Sequence, residues 1–399
     1  QIIPQGIVTP GLLAHIAIAK YADALPLYRQ EDQFTRLGLD ISRGTLAGWM
    51  IRVAKACEPL IDMIIAEIRS GPIVNMDETT VQVLRELDRT NTSKSYMWVA
   101  RGGTPGKPVV LFRYYPTRAG SVAAEILGDF KGYLQTDGYS GYEALGEREG
   151  LRHLGCMAHV RRKFVDIHRS QGSLIAEDAI GRIARLYAVE KEARGSPPDV
   201  RVELRKAHAA PVFDDLEQWL AMQLTTISGK SPLAAAIRYA LTRMERLRPY
   251  LDHGILELDN NAAERGMRAI ALGRKNYLFV GSEAGGKAAA IAYTLIETAK
   301  LNAVDPHAWL ADTLARIPDH KITQALVAEM GEPLLASSLI LPGHEEPMTE
   351  GWEVNDELGG VVDIVVEGPC GEDGPTTVVN LVKRKISREG AGDISGINL

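Results

Sequence analysis

The sequence of 399 residues lacks the features of membrane, secreted and disulfide-rich proteins. It has no run of about 18 uncharged apolar residues, so we expect no membrane span and no membrane partner. It begins at Gln1 with neither a methionine nor a signal-peptide pattern, and we expect a fragment of a longer protein. Its three cysteines, Cys57, Cys156 and Cys370, form no CxxC pair, which is typical of a reducing cytoplasm.

Positive charge is also in short supply overall, since the formal net charge is −6. The charge is unevenly distributed, however. Residues 318–399 hold 5 Lys+Arg and 15 Asp+Glu, a net of −10, whereas residues 1–317 hold 40 and 36, a net of +4. Only the first part is therefore electrostatically suited to bind phosphates. The apolar content of 45% supports a sizeable core, and the length suggests two or three domains.

The pattern of apolar residues predicts an α/β protein with helical additions. Residues 1–70 are expected to be helical, and the capped helix after Ser42 suggests either a helix-turn-helix or an ordinary helical subdomain. A helix is predicted at 121–130, with Ser121 as its cap. Short β-rich runs follow residue 71, and their order favours an RNase H-like mixed sheet; they lie at 73–77, 95–100, 109–115, 132–137 and 151–154.

The stretch 157–250 is almost wholly helical in pattern, and it is too long for a simple crossover. We therefore predict a helical domain inserted into an RNase H-like catalytic domain made of residues 71–156 and 251–317. Residues 318–399 would form a small, partial α/β lobe.

Two aspartates, Asp77 and Asp137, are each predicted to follow an apolar strand. If the two strands are neighbours, their carboxylates would repel each other unless a metal ion or a raised pKa neutralised them. The alternative is that both are ordinary turn formers. Glu264 has a structural alternative as well, because the sequence NAAE at 261–264 has the spacing of a helix capping box.

Several blocks resemble the insertion sequence 66 family of bacterial transposases. The blocks are MDET at 76–79, QTDGYSGY at 135–142, CMAHVRRKF at 156–164, DNNAAER at 259–265 and RKNYLFVGS at 274–282. The resemblance covers about residues 1–317 and implies DNA cleavage and strand transfer of the DDE type. It implies that Asp77, Asp137 and Glu264 are the catalytic acids and that they hold two Mg²⁺ or Mn²⁺ ions.

The resemblance also implies DNA partners, namely the ends of the element and a target, bound by a homo-oligomer. Basic residues near the proposed acids are candidates for contacts with phosphates, although solvated helix faces would look the same. They are Arg161, Arg162, Lys163, Arg265, Arg268, Arg274 and Lys275. The family's cysteine-rich and zipper-like N-terminal regions are not found in the sequence, nor do we expect its C-terminal segment rich in Leu, Pro and Trp.

A second metal site is conceivable at His153, Cys156 and His159, which are evenly spaced. Zinc sites usually have four ligands at recognised spacings, and only three candidates lie close together here. Packing is the alternative role, since cysteine is a commonly buried residue type.

After about residue 318 the sequence resembles the C-terminal part of YrdC-like proteins, relatives of threonylcarbamoyl-adenylate synthase. The resemblance implies that Ser337, Thr376, Thr377 and Arg388 correspond to residues lining a nucleotide pocket. Three functions therefore compete: a transposase, a tRNA-modification or nucleotide-binding protein defined by the tail, and an inactive DNA-binding remnant. The transposase is favoured because all three of its acids are present, while the tail holds only half of its pocket.

Overall fold

The computed structural model describes residues 2–3, 8–317, 364–366, 377–380 and 385–388. Residues 7–312 form one compact unit, and residues 1–6 with 313–399 form another. In the second unit, strands Ile364–Val366 (β6), Thr377–Asn380 (β7) and Lys385–Arg388 (β8) form an antiparallel sheet in the order β6-β7-β8. Among the predicted pocket residues, Ser337 and Thr376 lie outside the described residues. Thr377 and Arg388 lie on strands β7 and β8, where the structure describes the backbone.

Four helices open the large unit, as the sequence predicts. They are Pro10–Tyr21 (α1), Leu27–Arg36 (α2), Arg43–Ala56 (α3) and Glu58–Ser70 (α4). The hydroxyl of Ser42 accepts a hydrogen bond of 3.1 Å from the Thr45 amide, so the predicted cap of α3 is confirmed. One face of α3 is buried and packs against the later helix α12 (Glu283–Leu301).

A five-stranded mixed sheet forms the centre of this unit, which confirms the α/β class. Its strands are Ile73–Gln82 (β1), Lys94–Gly102 (β2), Val109–Tyr115 (β3), Gly132–Gln135 (β4) and Leu151–Leu154 (β5). The order is β3-β2-β1-β4-β5. Strands β1, β2 and β3 are antiparallel neighbours, whereas β4 runs parallel to both β1 and β5.

Helix α12 covers the edge of the sheet at β3. The hydroxyl of Thr294 accepts a hydrogen bond of 2.8 Å from the Phe112 amide, and that of Thr298 accepts one of 3.2 Å from the Val110 amide. The threonines thus satisfy edge-strand groups that would otherwise be free to pair with another chain. Between β3 and β4, helix Gly120–Leu127 (α5) has Ala119 at its N-cap, so the predicted Ser121 cap is wrong.

The stretch 157–250 is helical, as predicted, and its hydrophobic core extends onto the sheet through Leu154 of β5. Its helices are Met157–Gln171 (α6), Leu174–Glu192 (α7), Pro198–Leu204 (α8), Ala210–Thr226 (α9) and Pro232–Leu247 (α10). A π-helical turn, Arg205–Ala209, joins α8 to α9. Two further helices are Asn261–Asn276 (α11), before α12, and Pro306–Arg316 (α13). The division of residues 7–312 into domains stays a prediction.

In the part of the chain that the structure describes, every helix is too short or too polar to cross a lipid bilayer.

Candidate active site

Asp77 lies in the middle of β1, and the prediction that it ends a strand is wrong. The strand continues to Gln82, because Thr79, Thr80 and Val81 are β-branched and stay paired with β2. Only the pairing of β1 with β4 stops early, at Asn75. The backbone of Asp77 is therefore still paired with β2, at a point where the pairing with β4 has already ended.

Asp137 follows β4 by two residues. The parallel register sets Ile73 beside Tyr133 and Asn75 beside Gln135, and the same offset brings Asp137 level with Asp77 just beyond the paired segment. The Asp137 carboxylate accepts a hydrogen bond of 2.8 Å from the Tyr139 amide. Between them Gly138 has a φ of +83°, a conformation that favours glycine. The turn thus fixes the direction of the second acid.

Glu264 is the fourth residue of α11, which packs against β1 and β2. The predicted capping box at 261–264 does not form. Instead, the Asp259 carboxylate accepts a hydrogen bond of 3.0 Å from the Asn261 amide, while the N-cap residue Asn260 caps nothing with its side chain. The Glu264 carboxylate is consequently not used to cap the helix, and its buried Oε1 has no hydrogen-bond partner among the residues that the structure describes.

Behind the acids lies a buried network of three side-chain amides. Asn75 Nδ2 donates to Gln135 Oε1 at 3.0 Å and to Asn260 Oδ1 at 3.1 Å. Asn260 Nδ2 donates to the Met76 carbonyl at 2.8 Å, and Gln135 Nε2 donates to the Glu257 carbonyl at 2.9 Å. The network therefore joins β1, β4 and the start of α11, the three elements that carry the acids.

The structure brings the three predicted acids into one electrostatic neighbourhood. Burial above all, together with the charges of Glu78, Asp137 and Glu264, raises the pKa of Asp77 from 3.8 to about 7. A backbone hydrogen bond from the Glu78 amide opposes part of this rise. Carboxylates held so close, with one of them reluctant to ionise, form a site that a cation would stabilise. Their oxygens are the ligands that Mg²⁺ prefers.

A fourth acid, Glu78, was not singled out from the sequence. Its carboxylate is buried, accepts a hydrogen bond from the Tyr142 hydroxyl and forms an ion pair with Arg118. The Arg118 guanidinium also lies 3.8 Å from Asp137 and stacks on the Tyr139 ring. The sequence gives little indication of this role, because side chains alternate along a strand and Glu78 is therefore expected on the face opposite Asp77. Arg118 lies outside all of the blocks quoted above.

Two of the seven predicted DNA-binding residues line a groove that reaches Glu264. Arg161 and Arg162 are exposed on α6, and the groove beside them has a volume of about 680 Å³. Arg169 and Tyr187 line it too, and neither was predicted from the sequence. The groove thus combines three guanidinium groups with one of the candidate metal ligands.

The other predicted basic residues are spread over two helices. Lys163 lies over the Tyr239 ring, 5.3 Å from its centre. Arg265, Arg268 and Lys275 are exposed on α11. Arg274 instead donates a hydrogen bond of 2.6 Å to the Thr80 carbonyl, and it therefore braces α11 against β1.

The three candidate ligands of a second metal site do not come together. His153 lies on β5, where its Nε2 pairs with the Thr136 hydroxyl at 2.8 Å and its Nδ1 lies 3.3 Å from Arg246. Cys156 and His159 group with Glu264 instead. The hypothesis of a metal site at His153, Cys156 and His159 is therefore wrong, because His153 is not part of the group.

Comparison with known proteins identifies the family. The model of the Transposase IS66 family matches residues 5–288, most of the chain. The chain belongs to the IS66 transposase family. A second model, the IS66 C-terminal element, matches residues 294–325. The prediction that the family's C-terminal segment is missing is therefore wrong, and the family pattern runs past the boundary expected near residue 317.

Two curated proteins are similar to most of the chain. The chain is 41% identical over 330 residues to "Uncharacterized protein y4qI" of Sinorhizobium fredii (strain NBRC 101917 / NGR234). The aligned region covers 79% of this chain and 61% of that protein. It is 40% identical over 323 residues to "Uncharacterized protein y4jD" of the same strain, covering 78% and 63%. The chain thus spans about three fifths of the length of these relatives.

A different relative matches a shorter stretch. "Uncharacterized protein YciO" of Escherichia coli (strain K12) is 40% identical over 81 residues, which are 20% of this chain and 39% of that protein. The match does not name the YrdC-like family, and the IS66 models end at residue 325. The predicted YrdC-like relationship of residues 318–399 is not supported by these findings.

Proposed function

We propose that this chain is the catalytic part of a DDE transposase, which cleaves DNA strands and transfers them with the help of divalent metal ions. The observation that carries the proposal is the convergence of Asp77, Asp137 and Glu264. These acids lie 60 and 127 positions apart along the chain, yet the latter two both raise the pKa of Asp77. Acids with a purely structural role are seldom placed so that they raise one another's pKa, whereas such shifts are common at functional sites.

The topology of the sheet supports the proposal. Three antiparallel strands followed by two parallel ones, in the order β3-β2-β1-β4-β5, are the arrangement expected of an RNase H-like domain. The first two acids then lie on the central strand and just after its parallel neighbour, and the third comes from a helix packed on β1 and β2. The helices of 157–250 separate the second acid from the third.

The carboxylates suit two Mg²⁺ or Mn²⁺ ions. Asp77, Asp137 and Glu264 offer hard oxygen ligands, and Glu264 Oε1 accepts no hydrogen bond from the described residues. Such ions, when bound, activate an attacking hydroxyl and stabilise the departing oxygen of a phosphodiester. The protein's part is to hold the acids: the amide network fixes their backbones, and Arg118 steadies Asp137.

The basic residues would position the DNA. Arg161, Arg162 and Arg169 line the groove that reaches Glu264, so a phosphate backbone lying there would pass the acids. Arg265 and Arg268 extend the positive surface along α11. We propose that the substrates are the ends of the element and a target duplex, and that copies of the chain assemble on them.

The test is a nicking assay with Mg²⁺ or Mn²⁺ on DNA that carries the element's own terminal repeats. Asp77→Asn, Asp137→Asn and Glu264→Gln should each abolish cleavage, and Asp62→Asn, a change at an exposed position on α4, should not. Cleavage that survives Asp77→Asn would assign the chemistry to another acid. DNA binding without any cleavage in the unaltered chain would favour the inactive remnant, and tight ATP binding would favour the nucleotide-binding alternative.

A further inference from the structure

Cys156, His159 and Glu264 form a cluster that the proposed DNA chemistry does not use as a unit. One ligand atom from each residue lies within 4.8 Å of the other two. Cys156 precedes α6, and His159 lies on its first turn. Glu264 reaches the pair from α11, so the cluster joins two helices that are far apart in sequence.

Two atoms of this cluster make no hydrogen bond with the described part of the chain. They are His159 Nδ1 and Glu264 Oε1, which are both buried and lie 3.8 Å apart, too far to bond to each other. The Cys156 sulfur is buried as well and accepts a hydrogen bond of 3.2 Å from the Asn260 amide. Buried polar atoms that make no hydrogen bond call for an explanation, and beside a thiol these two are placed to bind a cation.

The combination of sulfur, nitrogen and oxygen selects the kind of cation. A thiolate and an imidazole are poor ligands for Mg²⁺ but good ones for Zn²⁺, which accepts carboxylates too. We propose that Cys156, His159 and Glu264 bind one Zn²⁺ ion, or a similar borderline-soft divalent metal, through three protein ligands. A fourth position would remain for water or a phosphate oxygen.

The positive charge of Arg162 opposes the binding of a cation at this cluster, but its side chain has room to move away. Its guanidinium lies 3.9 Å from Glu264 Oε1 and 3.3 Å from His159 Nε2. Coordination through Nδ1 would leave the proton of a neutral imidazole on Nε2, which could then no longer accept a bond from Arg162. The Arg162 side chain is 57% exposed, so it can turn into solvent.

The shared ligand has a consequence that rests on the proposed function. A Glu264 carboxylate drawn toward Cys156 and His159 is drawn away from Asp77 and Asp137. The soft metal would therefore oppose the magnesium-dependent reaction. It would act as an inhibitory ion at the edge of the catalytic site.

Direct binding is tested with Co²⁺, which reports a thiolate ligand by a charge-transfer band in the near ultraviolet. The whole chain, reduced and stripped of metal, is titrated with Co²⁺ and then with Zn²⁺ as competitor. The band should appear as Co²⁺ is added, and it should disappear when Zn²⁺ displaces the Co²⁺ ion. Cys156→Ser and His159→Ala should weaken binding by at least about 100-fold, since even residues that only support a ligand cost about 10–100-fold.

Two further variants make the result specific. Cys57→Ser alters the other buried cysteine among the described residues and should leave the band unchanged. Arg162→Ala removes a neighbouring positive charge and should tighten Co²⁺ binding, whereas a phosphate site would be weakened by the same change. No band at saturating Co²⁺, a band that survives Cys156→Ser, or looser binding in Arg162→Ala would overturn the proposal.

The consequence for cleavage is read separately. Zn²⁺ should lower the Mg²⁺-dependent nicking rate of the unaltered chain more than that of Cys156→Ser, each compared with its own rate without Zn²⁺. Equal inhibition of both would remove the inhibitory role. Because the Co²⁺ band needs no DNA, a chain that binds Co²⁺ but cuts nothing would keep the metal site and disprove the proposed function.

Discussion

The side-chain amide of Asn260 donates a hydrogen bond of 2.8 Å to the carbonyl of Met76, the residue immediately before Asp77. The two residues are 184 positions apart, and Asn260 is fully buried. The bond fixes the start of the helix that carries Glu264 against the strand that carries Asp77. The distance between those two acids is therefore set by a polar contact that neither of them makes.

Replacing Asn260 by alanine should separate the acids as well as weaken the fold. The change removes the side-chain bond to the Met76 carbonyl and one of the two bonds that the Asn75 amide donates, at a cost of about 1–3 kcal/mol for a buried group left unsatisfied. Urea unfolding should show this loss, and calorimetry should show weaker Mn²⁺ binding. Asn276→Ala, at the exposed end of α11, is the matched control. Full Mn²⁺ affinity in Asn260→Ala would show that the network does not position the acids.

The raised pKa of Asp77 predicts a stability that depends on pH in an unusual direction. The folded protein favours the protonated acid, so this contribution is complete below pH 3.8 and is lost as pH rises to about 7. Asp77→Asn should therefore stabilise the metal-free protein at pH 8, by a few kcal/mol at most at about 1.4 kcal/mol per pKa unit. Near pH 4 the two proteins should unfold alike.

Thermal unfolding of both proteins with and without Mg²⁺ measures this effect. Mg²⁺ at pH 8 should stabilise the unaltered chain more than Asp77→Asn, which reverses their order. Asp62→Asn serves as the control for a change of charge alone. If Asp77→Asn destabilises the metal-free protein at pH 8, Asp77 is ionised there without strain and the crowding is not as inferred.

Arg205 is a fully buried cation that ties the helical region to the loop before α11. Its guanidinium donates to both carboxylate oxygens of Glu190 at 2.7 Å and to the Tyr250 and Leu256 carbonyls at 2.9 Å. Arg205→Ala removes both short bonds of the largely buried Glu190 and leaves it the 3.4 Å contact with Arg201, which should cost about 3–5 kcal/mol in urea unfolding. Arg205→Lys should recover little, because an ammonium lacks the planar fork. Recovery by lysine would mean that charge alone matters.

The groove beside Glu264 predicts a measurable dependence of DNA binding on salt. Each phosphate neutralised on a duplex contributes about −0.9 to the slope of log affinity against log salt concentration. Replacing both Arg161 and Arg162 by alanine should therefore make the slope shallower by about 2. Lys300→Ala, on the exposed side of α12, should leave it unchanged. An unchanged slope in the double variant would place the DNA elsewhere.

The sequence predicted the elements of the central sheet well, because short apolar runs bounded by glycine and proline leave few alternatives. Strand β3 was found at the predicted residues, 109–115. It did not predict the length of β1, since the pairing that extends Asp77's strand to Gln82 is supplied by β2. Nor could it predict the role of Asn260, because a helix-starting asparagine usually caps its own helix. Local patterns do not reveal that its side chain is taken by Met76.

The same limit applies to the sites. Asp77, Asp137 and Glu264 were predicted through their sequence blocks, whereas the ion pair of Glu78 with Arg118 depends on packing across the sheet. The grouping of Cys156 and His159 with Glu264, in place of His153, depends on where β5 ends and α6 begins. Such placements are properties of the tertiary structure.

The amide network also sets an order of events in synthesis. Asn75 meets Gln135 across 60 positions and Asn260 across 185, so the last partner arrives long after the first two have been made. A nascent chain that ends before residue 260 has both aspartates but nothing to bring a third acid beside them. On the proposed function, a partly synthesised chain therefore cannot cut DNA. The catalytic centre forms only after the helical region is complete and α11 has reached β1, a contact that spans 184 positions.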